Sequence, residues 1–277
     1  MVEEPDLPEL AQFRARLDRA SASYKAFGAA WEAYLDERPH RLVTRVEDGA
    51  GTLQLKRVIP MPADLSLILS EFLHHLRAAL DNCLYAVAVI DSGVNPPPGA
   101  GALQWPICDS SAAFDGQRRR LKHLRPDIVE ALEAIQPYQA ELPGWNALRL
   151  LNELARVDRH RSGHVFALVL VAARMQADKH VISDIRLLVD DTVDVDDGDV
   201  MVSFRYSGAD ELGPDHIDGD FEWEVDIAGF ELAKGPSGRV GRPWGTLASR
   251  LRSMHRATFE YTEGLLDLTL NPLGDDA

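Results

Sequence analysis

The sequence predicts an α+β fold, a helical bundle core with an antiparallel sheet made of an early hairpin and a later acidic strand region. Three observations carry this expectation. Over residues 65–90, Leu65, Leu69, Phe72, Leu76, Leu80, Cys83, Val87 and Ile90 recur every three or four positions, the period of a helix that buries a broad face. Before it, residues 41–46 and 52–59 alternate polar and apolar around Asp48-Gly49-Ala50-Gly51, a hairpin with a glycine-rich turn. From Val165 onward the period changes from helical to two. Helices are expected over about residues 5–38, 64–161 and 244–268 and strands over about 41–59 and 165–232, in one domain of 277 residues.

Taken in order, Asp6 is placed to cap a first helix that ends near Glu37. Its positions Leu10, Phe13, Leu17, Ala20, Tyr24, Phe27, Trp31 and Tyr34 alternate steps of three and four, the seam of a helix lying along another helix. Pro60 and Pro62 end the hairpin and lead into the central helix. After Ile90 a proline-rich loop precedes a short helix capped by Asp109 or Ser110, whose Arg118, Arg119, Arg120 and Lys122 read as a solvated basic face. Pro126 opens a helix at the position proline tolerates, and residues 144–160 form the next one. Four strands follow, with Asp197-Gly198 expected as one hairpin turn and Gly219 as a second. The segment GPSGRVGRP reads as a linker, and residues 244–268 form a last helix that returns to the core.

A 45% hydrophobic and 26% charged composition is ordinary for a globular protein. The N-terminus lacks the basic start and apolar core of a signal peptide, no apolar run approaches a membrane span, and two cysteines do not make a disulfide framework, so a cytoplasmic protein without membrane contact is expected. The net charge of −15 is unevenly spread: residues 183–227 hold 15 acidic and two basic residues and so carry −13. The rest of the chain is close to neutral. It can host a local basic site for RNA or a nucleotide, while the acidic strand region suits a basic protein partner.

His74, Arg77, Asp81 and Tyr85 step three, four and four along the central helix and so share one stripe. Charged groups in such an apolar helix need partners, because an uncompensated buried charge costs several kcal/mol. The helix over residues 144–160 offers Asn152, Arg156 and His160 on one face, with Asp158 and Arg161 nearby, and either Asp81 or Asp158 is expected within reach of Arg77. A metal reading would combine His160 and His164 with His74 or His75, but Gly163 breaks the helical register there. The run DTVDVDDGD places Val193 and Val195 where a calcium loop needs ligands. No metal and no cofactor are therefore expected.

Two segments, HHLRAALDNCLY and LNELARVDRHR, with QPY between them, resemble a widespread group of uncharacterised bacterial proteins with the signatures LRxALDHxxY, QPY and LNxxDKHR. The first segment is also similar to the Arg-x4-6-His motif of HEPN proteins, helical metal-independent endoribonucleases and nucleotide-binding modules. Arg77 matches the motif arginine, and Asn82 stands where the histidine would be, an amide that cannot take a proton as imidazole does. The resemblance implies a catalytic set of Arg77, His160 and Arg161, with His74, Asp81, Asn82, Tyr85, Asn152 and Asp158 as an orienting or structural network. The other reading is a non-enzymatic interaction module in which this network only holds helices together.

Overall fold

The computed structural model describes residues 5–160, 163–208, 212 and 216–272, apart from the side chains of Arg159 and His160. The described residues form six α-helices and antiparallel sheets, a mixed α+β architecture. The centre is α2 (Asp64–Ser92), in which Leu65, Leu69, Phe72, Leu73, Leu76, Leu80, Cys83, Leu84 and Val87 are all buried. Side chains buried on this many sides need neighbours all round. α1 (Pro8–Asp36) lies along α2 with Leu10, Phe13, Leu17, Ala20, Phe27, Trp31 and Tyr34 inward, as its three-four spacing predicts. α2 ends at Gly93, whose left-handed backbone (φ 68°) lets its N–H close on the Val89 carbonyl at 2.9 Å.

α3 (Ser111–Leu121) is capped by Ser110, whose hydroxyl accepts from Ala113 N at 3.2 Å. α4 (Pro126–Ala134) begins at its proline. α5 (Ala147–His160) starts later than expected, because Pro143–Trp145 turns as a 3-10 helix and Asn146 supplies the cap to Arg149 N. α6 (Leu247–Leu270) packs on both α2 and α5 with Leu247, Leu251, Met254, Leu265 and Leu266 buried.

β1 (His40–Glu47) and β2 (Ala50–Arg57) pair from His40↔Arg57 to Glu47↔Ala50, so only Asp48 and Gly49 form the turn. Their positive φ values, 50° and 75°, are those a tight twisted hairpin needs. β5 (Val200–Tyr206) joins the open side of β2, and β4 (Ile182–Leu187) joins β5, giving the order β1-β2-β5-β4. Gly51 faces the Phe204 ring so closely that a Cβ there would sit 2.1 Å from it. β3 (Phe166–Ala177) and β6 (Ile217–Ile227) make a separate antiparallel ribbon. Val195 bridges to Leu168 and ties the two sheets together. Helices and sheets share one hydrophobic cluster.

Several expectations change. Asp6 does not cap α1, which opens at Leu7 and Pro8 without a side-chain cap. Asp197-Gly198 is not a two-residue hairpin turn, since residues 188–199 all connect β4 to β5. Gly219 lies inside β6 rather than at a turn, and β5 and β6 belong to different sheets. The supposed linker folds back as a small hairpin of β7 (Ala233–Lys234) and β8 (Val240–Gly241).

Candidate functional site

The polar stripe of α2 forms a seam longer than the sequence suggested. At its start, Ser66 Oγ accepts from His164 N at 3.1 Å, and one turn later Ser70 Oγ donates to the Asp158 carboxylate. These two hydroxyls clamp the end of α5 and the entry to β3. Asp158 thus meets Ser70, and of the two carboxylates expected beside Arg77 it is Asp81 that stands there. Arg77 is 9% exposed, and its Nη2 lies 3.8 Å from Asp81 Oδ1, an ion-pair separation. Asp81 also accepts from Trp105 N at 2.9 Å, and the Tyr85 hydroxyl donates to Asn95 Oδ1 at 3.1 Å. The far half of the stripe therefore fastens the proline-rich loop.

Of the remaining sequence candidates, His74 is exposed and its ring stands 5.5 Å from that of His75, which accepts from Arg16 at 3.2 Å. Asn82 has a buried Nδ2 without a hydrogen-bond partner among the described residues, and Asn152 is half-buried. His160 closes α5, but its side chain lies outside the described residues, as does Arg161 entirely. Among the described residues no group of His, Cys, Asp and Glu is placed to hold a metal ion.

A second constellation was not found from the sequence. On β6, Phe221 and Trp223 point to the same side, and their rings stack at 5.9 Å with an interplanar angle of 14°. His40, at the start of β1, stands 6.4 Å from Trp223. These three residues form a wall common to two clefts of about 560 and 380 Å³. Opposite Trp223, β3 has a bulge between Leu170 and Ala172 that leaves Val171 49% exposed in the first cleft. The linings carry Glu222, Glu224, Asp218 and Asp220 against Arg38 and Arg41. Arg174 reaches Asp220 and Glu222 only loosely, at 3.9 and 4.0 Å.

Electrostatics distinguish this wall. Burial, then the Arg57 charge, lower the His40 pKa to about 4, so its ring is neutral at pH 7. Burial, then the neighbouring Asp226 carboxylate, push the Glu224 carboxyl up.

Behind this wall lies a fully engaged ion cluster. Asp226 receives Arg250 Nη1 at 2.7 Å and Arg242 Nη1 at 3.2 Å, while Arg242 Nη2 reaches Asp194 at 2.6 Å. Carbonyls of Asp191, Pro243 and Gly245 take further guanidinium donors, and Arg250 lies 3.8 Å over the Phe230 ring. The aspartates of the 188–199 connection are thus not simply solvated: Asp194 grips Arg242, and Asp197 accepts from Arg57 N and Lys56. One signal was present in the sequence. Arg250 falls three residues after Leu247 and four before Met254, on the apolar stripe of its helix.

The chain matches no protein-family model, and no curated protein or solved structure is significantly similar to it.

Proposed function

We propose that the chain is a binding module whose β6 face takes a cationic segment of a partner protein. A lysine or arginine side chain would lie against Trp223 and Phe221 in the cleft that Glu222 and Glu224 also border. The observation that carries this reading is the stacked aromatic pair in a cleft of about 560 Å³ that the half-buried Glu224, its carboxyl pushed up, also borders. Aromatic faces attract cations by about 0.5–2 kcal/mol, more as the contact is desolvated. A neutral His40 adds surface without repelling the incoming charge. The excess of acidic residues around the ribbon supplies long-range attraction.

Calorimetric titration with an oligolysine peptide tests the reading. Saturable binding that weakens with added salt, with no binding of an oligoglutamate peptide, is expected. Equal binding of both peptides, or of neither, would refute it.

In a second reading the helical core is HEPN-like and the seam handles RNA or a nucleotide, with Arg77 holding phosphate and His160 exchanging a proton. What favours it is the Ser70–Asp158 bond, which seats the end of α5 about two turns from Arg77 on α2. Cleavage of single-stranded RNA in excess EDTA, lost in His160→Ala and Arg77→Ala variants of unchanged fold, is its expected result. Absence of cleavage, with no thermal shift from nucleotides, would leave the seam a purely structural device.

A further inference from the structure

Among the described residues β6 pairs with β3 alone, which leaves its other edge open. Residues of an antiparallel strand turn their backbone N–H and C=O alternately toward the paired strand and away from it. Just past the two ends of β6, the Ala228 N–H donates to the Val165 carbonyl and the His216 carbonyl accepts from Asp178 N, so the even-numbered residues of β6 face β3. The bulge lies on β3 and leaves this count along β6 unbroken. Gly219, Phe221, Trp223 and Val225 therefore turn their backbone outward. Three observations agree. Gly219 N donates to the Asp218 carboxylate at 2.8 Å and Ile227 N to that of Asp226 at 2.7 Å, both outside the ladder. On β3, Leu168 lies opposite Val225 and likewise turns away, exchanging its backbone bonds with Val195.

The stretch between these two occupied amides is open. Among the described residues no hydrogen bond outside the β3 ladder engages the backbone of Phe221 or Trp223. The clefts of about 560 and 380 Å³ are together lined by every residue from Asp218 to Glu224. A cleft over one face of a strand meets alternate residues, whereas successive ones mean that it follows the edge.

We infer that the cationic segment binds in extended form, as a third strand whose backbone pairs with Phe221 and Trp223. This pairing rests on the reading proposed above and adds the partner's conformation. An open strand edge is a template for another chain, and main-chain bonds then supply affinity. Charge selects the occupant. Asp218, Asp220, Glu222 and Glu224 alternate with the aromatic residues and so share one face of β6. From β3, Arg174 approaches this row at 3.9 and 4.0 Å, and a strand on the outer edge brings cations to its other side. The side chains between those cations meet the Phe221 and Trp223 rings.

The test compares oligolysine with oligolysine methylated on every backbone nitrogen, which keeps the charges and loses the donors. With the whole chain, the methylated peptide should bind about tenfold or more weakly, the effect of losing two or more hydrogen bonds. Saturating oligolysine should also slow amide hydrogen exchange at Phe221 and Trp223, which a contact through side chains alone does not do. Equal binding of the two peptides, with exchange at Phe221 and Trp223 unchanged, would overturn the strand pairing and leave the cation reading standing. Binding of neither peptide would overturn both.

Discussion

Asp226 and Arg250 form an ion pair at 2.7 Å in which both residues are at most 1% exposed, joining β6 to α6 across the back of the aromatic ribbon. Removing one partner of such a pair leaves a buried charge uncompensated. Asp226→Ala is expected to cost about 3–5 kcal/mol, because it strands both Arg250 and Arg242. Urea unfolding of the variant measures this, and a loss under about 1 kcal/mol would mean that the pair does not hold the ribbon.

The Ser70–Asp158 bond makes a smaller and more local claim. Ser70→Ala removes a hydroxyl that donates to a carboxylate and should destabilise the chain by about 1–3 kcal/mol. Asp158→Asn keeps an acceptor oxygen and should cost less. The reverse order in chemical denaturation would show that the carboxylate has another partner.

Stability should fall as pH drops from about 6.5 to 4, the window set by His40. The unfolded state takes up a proton there that the folded state refuses, so unfolding binds more protons and stability rises with pH. His164 and His75, both lowered mainly by burial, act in the same sense, whereas Glu224, pushed up, opposes them. The informative comparison is therefore His40→Gln against wild type, and a shallower slope is expected in the variant. Identical slopes would place His40 in open water.

Millimolar calcium should leave the melting temperature unchanged. Asp194 and Asp197 are already held by Arg242, Lys56 and Arg57, and Asp190 accepts from Thr192. A chelator-reversible rise of several degrees would require these aspartates to exchange their partners for the ion.

The sequence made the regular helices legible because their periodicity is a property of each segment alone. α2, the seam of α1 and the return of α6 all follow from three-four spacing, and the β1–β2 hairpin from Asp48-Gly49. Strand partners were not legible, because alternation tells which face is buried and not which strand lies alongside. β5 accordingly pairs with β2 and β4, and β6 with β3. The stripe on α2 was visible through its charged members, while Ser66 and Ser70 looked like ordinary helix surface. His40, Phe221 and Trp223 come from distant parts of the chain and meet only when β1 and β6 are placed. Arg242 was hidden in a glycine-rich stretch that reads as a linker, yet it is 7% exposed.

The central claim is that the cleft beside β6 holds a cation against its aromatic pair, with Glu224 on the cleft's border. It is tested most directly by titrating the oligolysine peptide against wild type, Trp223→Leu and Glu224→Gln under one salt condition. Each variant should bind about tenfold more weakly, a loss of about 1.4 kcal/mol, with the far-ultraviolet circular dichroism unchanged. Wild-type affinity in both variants would contradict the account and move the binding surface away from Trp223.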